Sequence, residues 1–110
     1  MDKQAITTTA APKAIGPYSQ AIKAGGWLYL SGQIPIDPKT NQLVLGTIEE
    51  QTERVLKNAQ GVLEAAGASL QNVVKVTLFL ANMQDFPKVN ETYSKFFKSV
   101  PPSLKAITVG

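Results

Sequence analysis

Alternation of apolar and polar positions marks the first structural unit of the chain. Tyr18-Ser19-Gln20-Ala21-Ile22-Lys23 and Trp27-Leu28-Tyr29-Leu30-Ser31 both repeat with a period of two, which is the side-chain period of a strand. Between them stands Ala24-Gly25-Gly26, a connection suited to a tight hairpin turn. In the second run, Leu28 and Leu30 face one way, and Trp27, Tyr29 and Ser31 face the other. The pairing ends by Pro35, which has no N–H to give to a ladder. Gly32 lacks a Cβ, so the backbone can bend there and a second molecule can approach its amide. A Ser-Gly strand tip suits an anionic or carbonyl group of a small ligand, and it is equally the start of an ordinary turn.

A period near 3.6 then takes over. Ile48, Val55, Leu56, Ala59, Val62, Leu63 and Ala66 form one apolar stripe of a predicted helix. Thr47 and Glu50 fit a capping box at its start, and Gly67 a stop at its end. Glu49, Glu53, Lys57 and Glu64 fall largely off the stripe. Glu50, Glu53 and Glu64 read as a solvated face rather than as acid–base groups, since no perturbing partner is visible. Residues 73–81 return to alternation as a strand, with Val74, Val76, Leu78 and Leu80 on one face. Val73, Lys75, Thr77 and Phe79 make the other face half-polar, which hints at packing against a further subunit. Asp85 is placed to cap a second helix with Pro87 in its first turn. Its expected buried stripe is Phe86, Val89, Tyr93, Phe96, Phe97 and Val100, with Asn90 and Ser94 beside it. Asn90 could offer its amide to a ligand or to a nearby loop. Pro101-Pro102 breaks the helix, and Ala106 to Val109 form a short strand. At the front, Ile6 to Thr9 suit a short edge strand. The order of elements argues for an α+β sheet with both helices on one side.

Totals narrow the chemistry. A length of 110 residues gives a single domain, residues 1–110. The chain has no cysteine and no histidine, which excludes thiolate chemistry, Ser-His-Asp triads and ordinary zinc sites. The net charge is +3, but the lysines are scattered and argue against a nucleic-acid partner. No apolar run nears the roughly 20 residues that span a bilayer, and no secretory h-region is present. The expected location is cytoplasmic. A mitochondrial address is the alternative, because Asp2 is the only acid before Asp37.

Four motifs then carry a resemblance, in order along the chain: Ile15-Gly16-Pro17-Tyr18-Ser19-Gln20-Ala21, Leu30-Ser31-Gly32-Gln33-Ile34-Pro35, Val73-Val74-Lys75-Val76-Thr77 and Asp85-Phe86-Pro87-Lys88-Val89-Asn90-Glu91-Thr92-Tyr93. From about Ala10 to Pro102 the chain resembles the Rid (reactive intermediate deaminase), or YjgF-type, family. The resemblance implies a chorismate-mutase-like α+β fold and a homotrimer with ligand clefts between subunits. It implies hydrolysis of 2-enamine and 2-imine acids to 2-keto acids and ammonia, with no metal or organic cofactor. By position, Tyr18 would contact the ligand, and Ser31 with the Gly32 backbone would hold its carboxylate or imine end. Asn90 would line the cleft from a neighbouring subunit. The family arginine that binds the substrate carboxylate corresponds to Leu104. Lys105 follows one residue late, on the opposite strand face, and lacks the planar fork of arginine. Family members continue for about two further strands, the last with a glutamate linked to water activation. Weak or absent imine hydrolysis is therefore expected of this sequence. A non-catalytic protein of the same fold, binding small carboxylates or other subunits, is the alternative.

Overall fold

A computed structural model describes residues 2–109. Three strands open the chain: β1 (Lys3–Ile6), β2 (Ala21–Ala24) and β3 (Trp27–Leu30), paired antiparallel in that order. The β2–β3 turn is Gly25-Gly26, with φ of 58° and 80°. Two successive left-handed residues are what a tight hairpin of this twist requires, and only glycine adopts them without strain. β1 is the expected edge strand, but it lies earlier than Ile6 to Thr9. Thr7 to Thr9 instead leave the sheet, because Gln20 draws Thr8 out of the ladder direction by binding its backbone.

A second hairpin, with strands of two residues, pairs β4 (Ile36–Asp37) with β5 (Gln42–Leu43). α1 (Ile48–Ala65) begins with the expected capping box: the Glu50 N–H donates to the Thr47 hydroxyl at 3.1 Å, and the Glu50 carboxylate accepts the Thr47 N–H at 3.2 Å. It ends at Gly67, φ 80°, where the Gly67 N–H donates to the Glu64 carbonyl and the Ala68 N–H to the Leu63 carbonyl. That pair of bonds is the Schellman closure, and it satisfies carbonyls the helix leaves free.

β6 (Lys75–Leu80), α2 (Phe86–Phe96) and β7 (Ser103–Thr108) complete the chain, with β7 parallel to β6. A parallel pair needs a crossover, and α2 provides it. Three sequence expectations are corrected here. Residues 70–72 form a 3₁₀ turn, so β6 starts at Lys75; Val73 packs inward and Val74 outward, the reverse of their assigned faces. Asp85 precedes α2 without a side-chain capping bond, because a 3₁₀ turn runs directly into the helix and Asn82 caps that turn instead. Val100 is 90% exposed with φ 40°: α2 stops at Phe96, and the following Pro101 disfavours helical geometry at Val100.

α1 carries two packing faces. Val62 packs with Ile6, Ala11 and Ala21 beneath β1 to β3. Leu56 packs with Tyr93 and Phe97 over Val76 and Leu104 of the parallel pair. Gly61 makes a close approach possible, since a Cβ there would lie 2.7 Å from the Ala10 carbonyl oxygen. Among the described residues no helix is long and apolar enough to cross a membrane.

Candidate functional site

The open end of the β2–β3 hairpin is tied together by short bonds. Ala21 pairs with Leu30, which sets Gln20 across from Ser31. The Ser31 N–H donates to the Gln20 carbonyl at 3.0 Å, and the Ser31 hydroxyl donates to the Ser19 carbonyl at 2.6 Å. The Gln33 side-chain amide closes over the Ser31 carbonyl at 3.2 Å. Gly32 comes next. A Cβ at Gly32 would meet nothing within 4 Å, so the space over this backbone is open. Among the described residues the Gly32 N–H has no hydrogen-bond partner.

Tyr18 stands one residue before this clasp and is half exposed. Its phenol oxygen accepts the Ile15 N–H at 3.4 Å, and its ring lies against Gly16. With Thr7 to Thr9, Lys13, Ala14, Ser19 and Gln20 it lines an open groove of about 620 Å³. Ser31 is bonded to Ser19 of that lining, but neither Ser31 nor Gly32 lines the groove itself. Lys13 is the one cationic residue of that lining, a contribution that the sequence motifs did not suggest.

Two buried amides, neither anticipated, hold the walls. Gln20 accepts the Thr8 N–H at 2.7 Å and donates to the carbonyls of Pro12 at 2.7 Å, Thr8 at 3.1 Å and Ala11 at 3.3 Å. Asn58 of α1 is fully buried. It accepts from Arg54 Nε at 3.1 Å and donates to the Ile36 carbonyl at 2.8 Å, which anchors the segment that follows Gly32. An unpaired amide would be costly to bury, so these contacts fix both loops.

Asn90 does not join the cluster within one chain. It is exposed on α2, makes no side-chain hydrogen bond among the described residues, and does not line the Tyr18 groove. Leu104 points into the helix-covered core, while Lys105, paired with Thr77, is exposed on the opposite face. A second groove, between the helices, is lined by Glu49, Glu50, Glu53, Thr92, Lys95 and Phe96. Two of its three acids have structural uses: Glu50 caps α1, and Glu53 pairs with Lys57 at 2.8 Å, a contact that lowers the Glu53 pKa. Its three carboxylates would repel an acid.

A family model described as Endoribonuclease L-PSP matches residues 8–110. The chain belongs to the Rid/YjgF-type family. Among Rid relatives, a RutC family protein of Pyrococcus horikoshii is 54% identical over 97% of this chain and 85% of its own length. The 2-iminobutanoate/2-iminopropanoate deaminase of Mus musculus is 46% identical over 97% of this chain and 79% of its own. The crystal structure of E. coli TdcF with bound serine superposes with a TM-score of 0.92 at 34% identity, covering 96% of this chain and 85% of that one. The two helices over mixed antiparallel and parallel ladders are thus the Rid fold.

Proposed function

We propose that this chain binds small 2-imino and 2-keto acids at the Tyr18 and Ser31-Gly32 end of the first hairpin, and hydrolyses the imines slowly. The observation that carries this reading is the 2.6 Å bond from the Ser31 hydroxyl to the Ser19 carbonyl. It locks the two motif-bearing segments into one wall, beside an open backbone amide and a groove holding a single cation, Lys13, among its lining residues. The Mus musculus relative is a 2-iminobutanoate/2-iminopropanoate deaminase, and the E. coli neighbour holds serine; both are consistent with a small amino- or imino-acid ligand.

The reaction is the addition of water to a protonated imine carbon, followed by loss of ammonia: R-C(=NH₂⁺)-COO⁻ and H₂O give R-CO-COO⁻ and NH₄⁺. The iminium carbon is already electrophilic, so positioning the substrate and a water supplies much of the catalysis, and no histidine is needed. The Gly32 N–H and the Lys13 ammonium are suited to the carboxylate. The turnover is slow because residue 104 is leucine and is turned into the core, so no guanidinium grips the carboxylate from there. Lys105, on the outer face, is a poor replacement.

The assembly is a homotrimer in this reading, with Asn90 reaching the cleft from a neighbouring subunit. Support comes from large apolar side chains left on the sheets: Trp27, Tyr29 and Phe79 are each more than half exposed. Ammonia release from freshly generated 2-iminobutanoate tests the chemistry, and titration with 2-oxobutanoate tests the site. Binding with slow release is expected. Absence of binding at millimolar ligand would overturn the reading, and turnover equal to that of the Mus musculus enzyme would overturn the role given to Leu104. Light scattering should give three times 11.8 kDa; a monomer would remove the inter-subunit cleft.

A further inference from the structure

The groove between the helices, about 440 Å³ in volume, has Glu49, Glu50 and Glu53 of α1 on one side and Thr92, Lys95 and Phe96 of α2 on the other. A helical serine or threonine commonly turns its hydroxyl back to a carbonyl three or four residues earlier. Thr52 does so on Ile48 and Ser94 on Glu91, each at 2.7 Å. Thr92 does not. It is only 5% exposed and lines the groove, yet it makes no side-chain hydrogen bond among the described residues. A hydroxyl so nearly enclosed is normally bonded, and the groove is the side from which a partner can reach it. The carboxylates have spare capacity as well. Glu49 is in no ion pair among the described residues, and Glu50 uses only Oε1, on Thr47. Glu53 meets Lys57 in an exposed pair, a kind that contributes little and yields to a competitor.

Three carboxylates against the single ammonium of Lys95 leave this lining at −2, in a chain whose net charge is +3. Lys95 pairs with none of the three among the described residues, so the groove does not neutralise itself. The acids are spread along it rather than gathered: among the described residues no group of three is placed to hold a metal ion. Separated carboxylates suit an extended cation better than a point charge. We propose that this groove binds a linear aliphatic diammonium ion, at a site separate from the Tyr18 groove and independent of the small-acid reading. An ammonium group can only donate. Its N–H groups go to the carboxylates and to Thr92 Oγ1, and its methylene chain lies along Phe96. The groove volume falls in the range of small-molecule sites.

Titration of the whole chain with 1,4-diaminobutane, followed by backbone amide signals, tests this. Saturable shifts are expected at Thr92, Lys95 and Phe96, with Tyr18 and Gly32 unmoved. Glu49→Gln and Thr92→Val should each weaken binding by about threefold or more, the scale of one surface ion pair or one hydrogen bond. Thr92→Ser keeps the hydroxyl and should keep the affinity, which separates the bond from packing. Lys95→Gln removes the opposing cation and should tighten binding. Glu64→Gln makes the same charge change on an exposed residue of α1 outside the groove and should alter affinity by less than about 1.5-fold, for an acid that touches no ligand. Shifts that do not saturate, or a Glu64→Gln effect equal to that of Glu49→Gln, would reduce the binding to bulk charge and overturn the proposal. Magnesium chloride giving the same shifts at equal concentration would mark a metal-binding patch and overturn it too. Unchanged affinity in Thr92→Val would remove the observation on which it stands.

Discussion

Replacing Gln20 by alanine should loosen the loop that carries Tyr18, by an amount the geometry sets. The side chain is buried and serves four backbone groups with one amide. Its two N–H groups face three carbonyls, so the Ala11 contact at 3.3 Å is a shared, weaker one. Two strong bonds at 2.7 Å, to the Thr8 N–H and the Pro12 carbonyl, dominate. At about 0.5–1.5 kcal/mol net for each satisfied bond, and more for a partner left buried and unpaired, the loss should be about 2–3 kcal/mol. Urea slopes for small proteins begin near about 1 kcal/mol per molar, so the midpoint should fall by about 2–3 M with the slope unchanged. Gln20→Glu adds a sharper check. The carboxylate would keep the Thr8 N–H but would face carbonyls where the amide donated, so its folded pKa should rise above the ordinary value of about 4.3. The folded state then binds protons more tightly than the unfolded one, and stability should increase as pH falls from 7 towards that value. A Gln20→Ala loss below about 0.5 kcal/mol, or a Gln20→Glu variant insensitive to pH in that range, would refute the claim that this amide holds the loop.

Two further outcomes follow from packing. The Tyr93 hydroxyl is buried without a partner among the described residues, and its ring lies tilted against Phe97 at 4.5 Å, so Tyr93→Phe should stabilise the chain by about 1 kcal/mol, the desolvation cost removed, in a thermal or urea melt. Burial also raises the Tyr93 pKa; stability is therefore held below pH 10 and lost as pH rises through the folded pKa, and the variant should lose less over that range. Gly61→Ala would normally gain about 1 kcal/mol within a helix, but here the new Cβ meets the Ala10 backbone at 2.7 Å. A net loss of about 1–3 kcal/mol is expected from such overpacking, and a gain in melting temperature would show that residues 8–12 yield freely.

What could be read from the residues, and what could not, divides by the sequence distance of each feature's partners. The α1 start and stop are local chemistry: Thr47 and Glu50 are three residues apart, and Gly67 serves carbonyls within one turn. The Gly25-Gly26 turn is local as well, and it brings Ser31 back to Ser19 and Gln20. Gln20 and Asn58 could not be recognised this way, since the partners of Gln20 lie 8–12 residues distant and the carbonyls that Asn58 serves lie 22–24 residues distant, and they leave no periodic trace. Asn58 in particular occupies a polar position of a stripe that otherwise predicts the core, and only the path of residues 34–36 explains its burial. The motifs did locate the hairpin tip, because a tip is made by adjacent residues. They named Tyr18, Ser31 and Gly32, but not where the Ser31 hydroxyl proton goes. The Ser19 carbonyl takes it across the hairpin, and only the fold brings that carbonyl within reach.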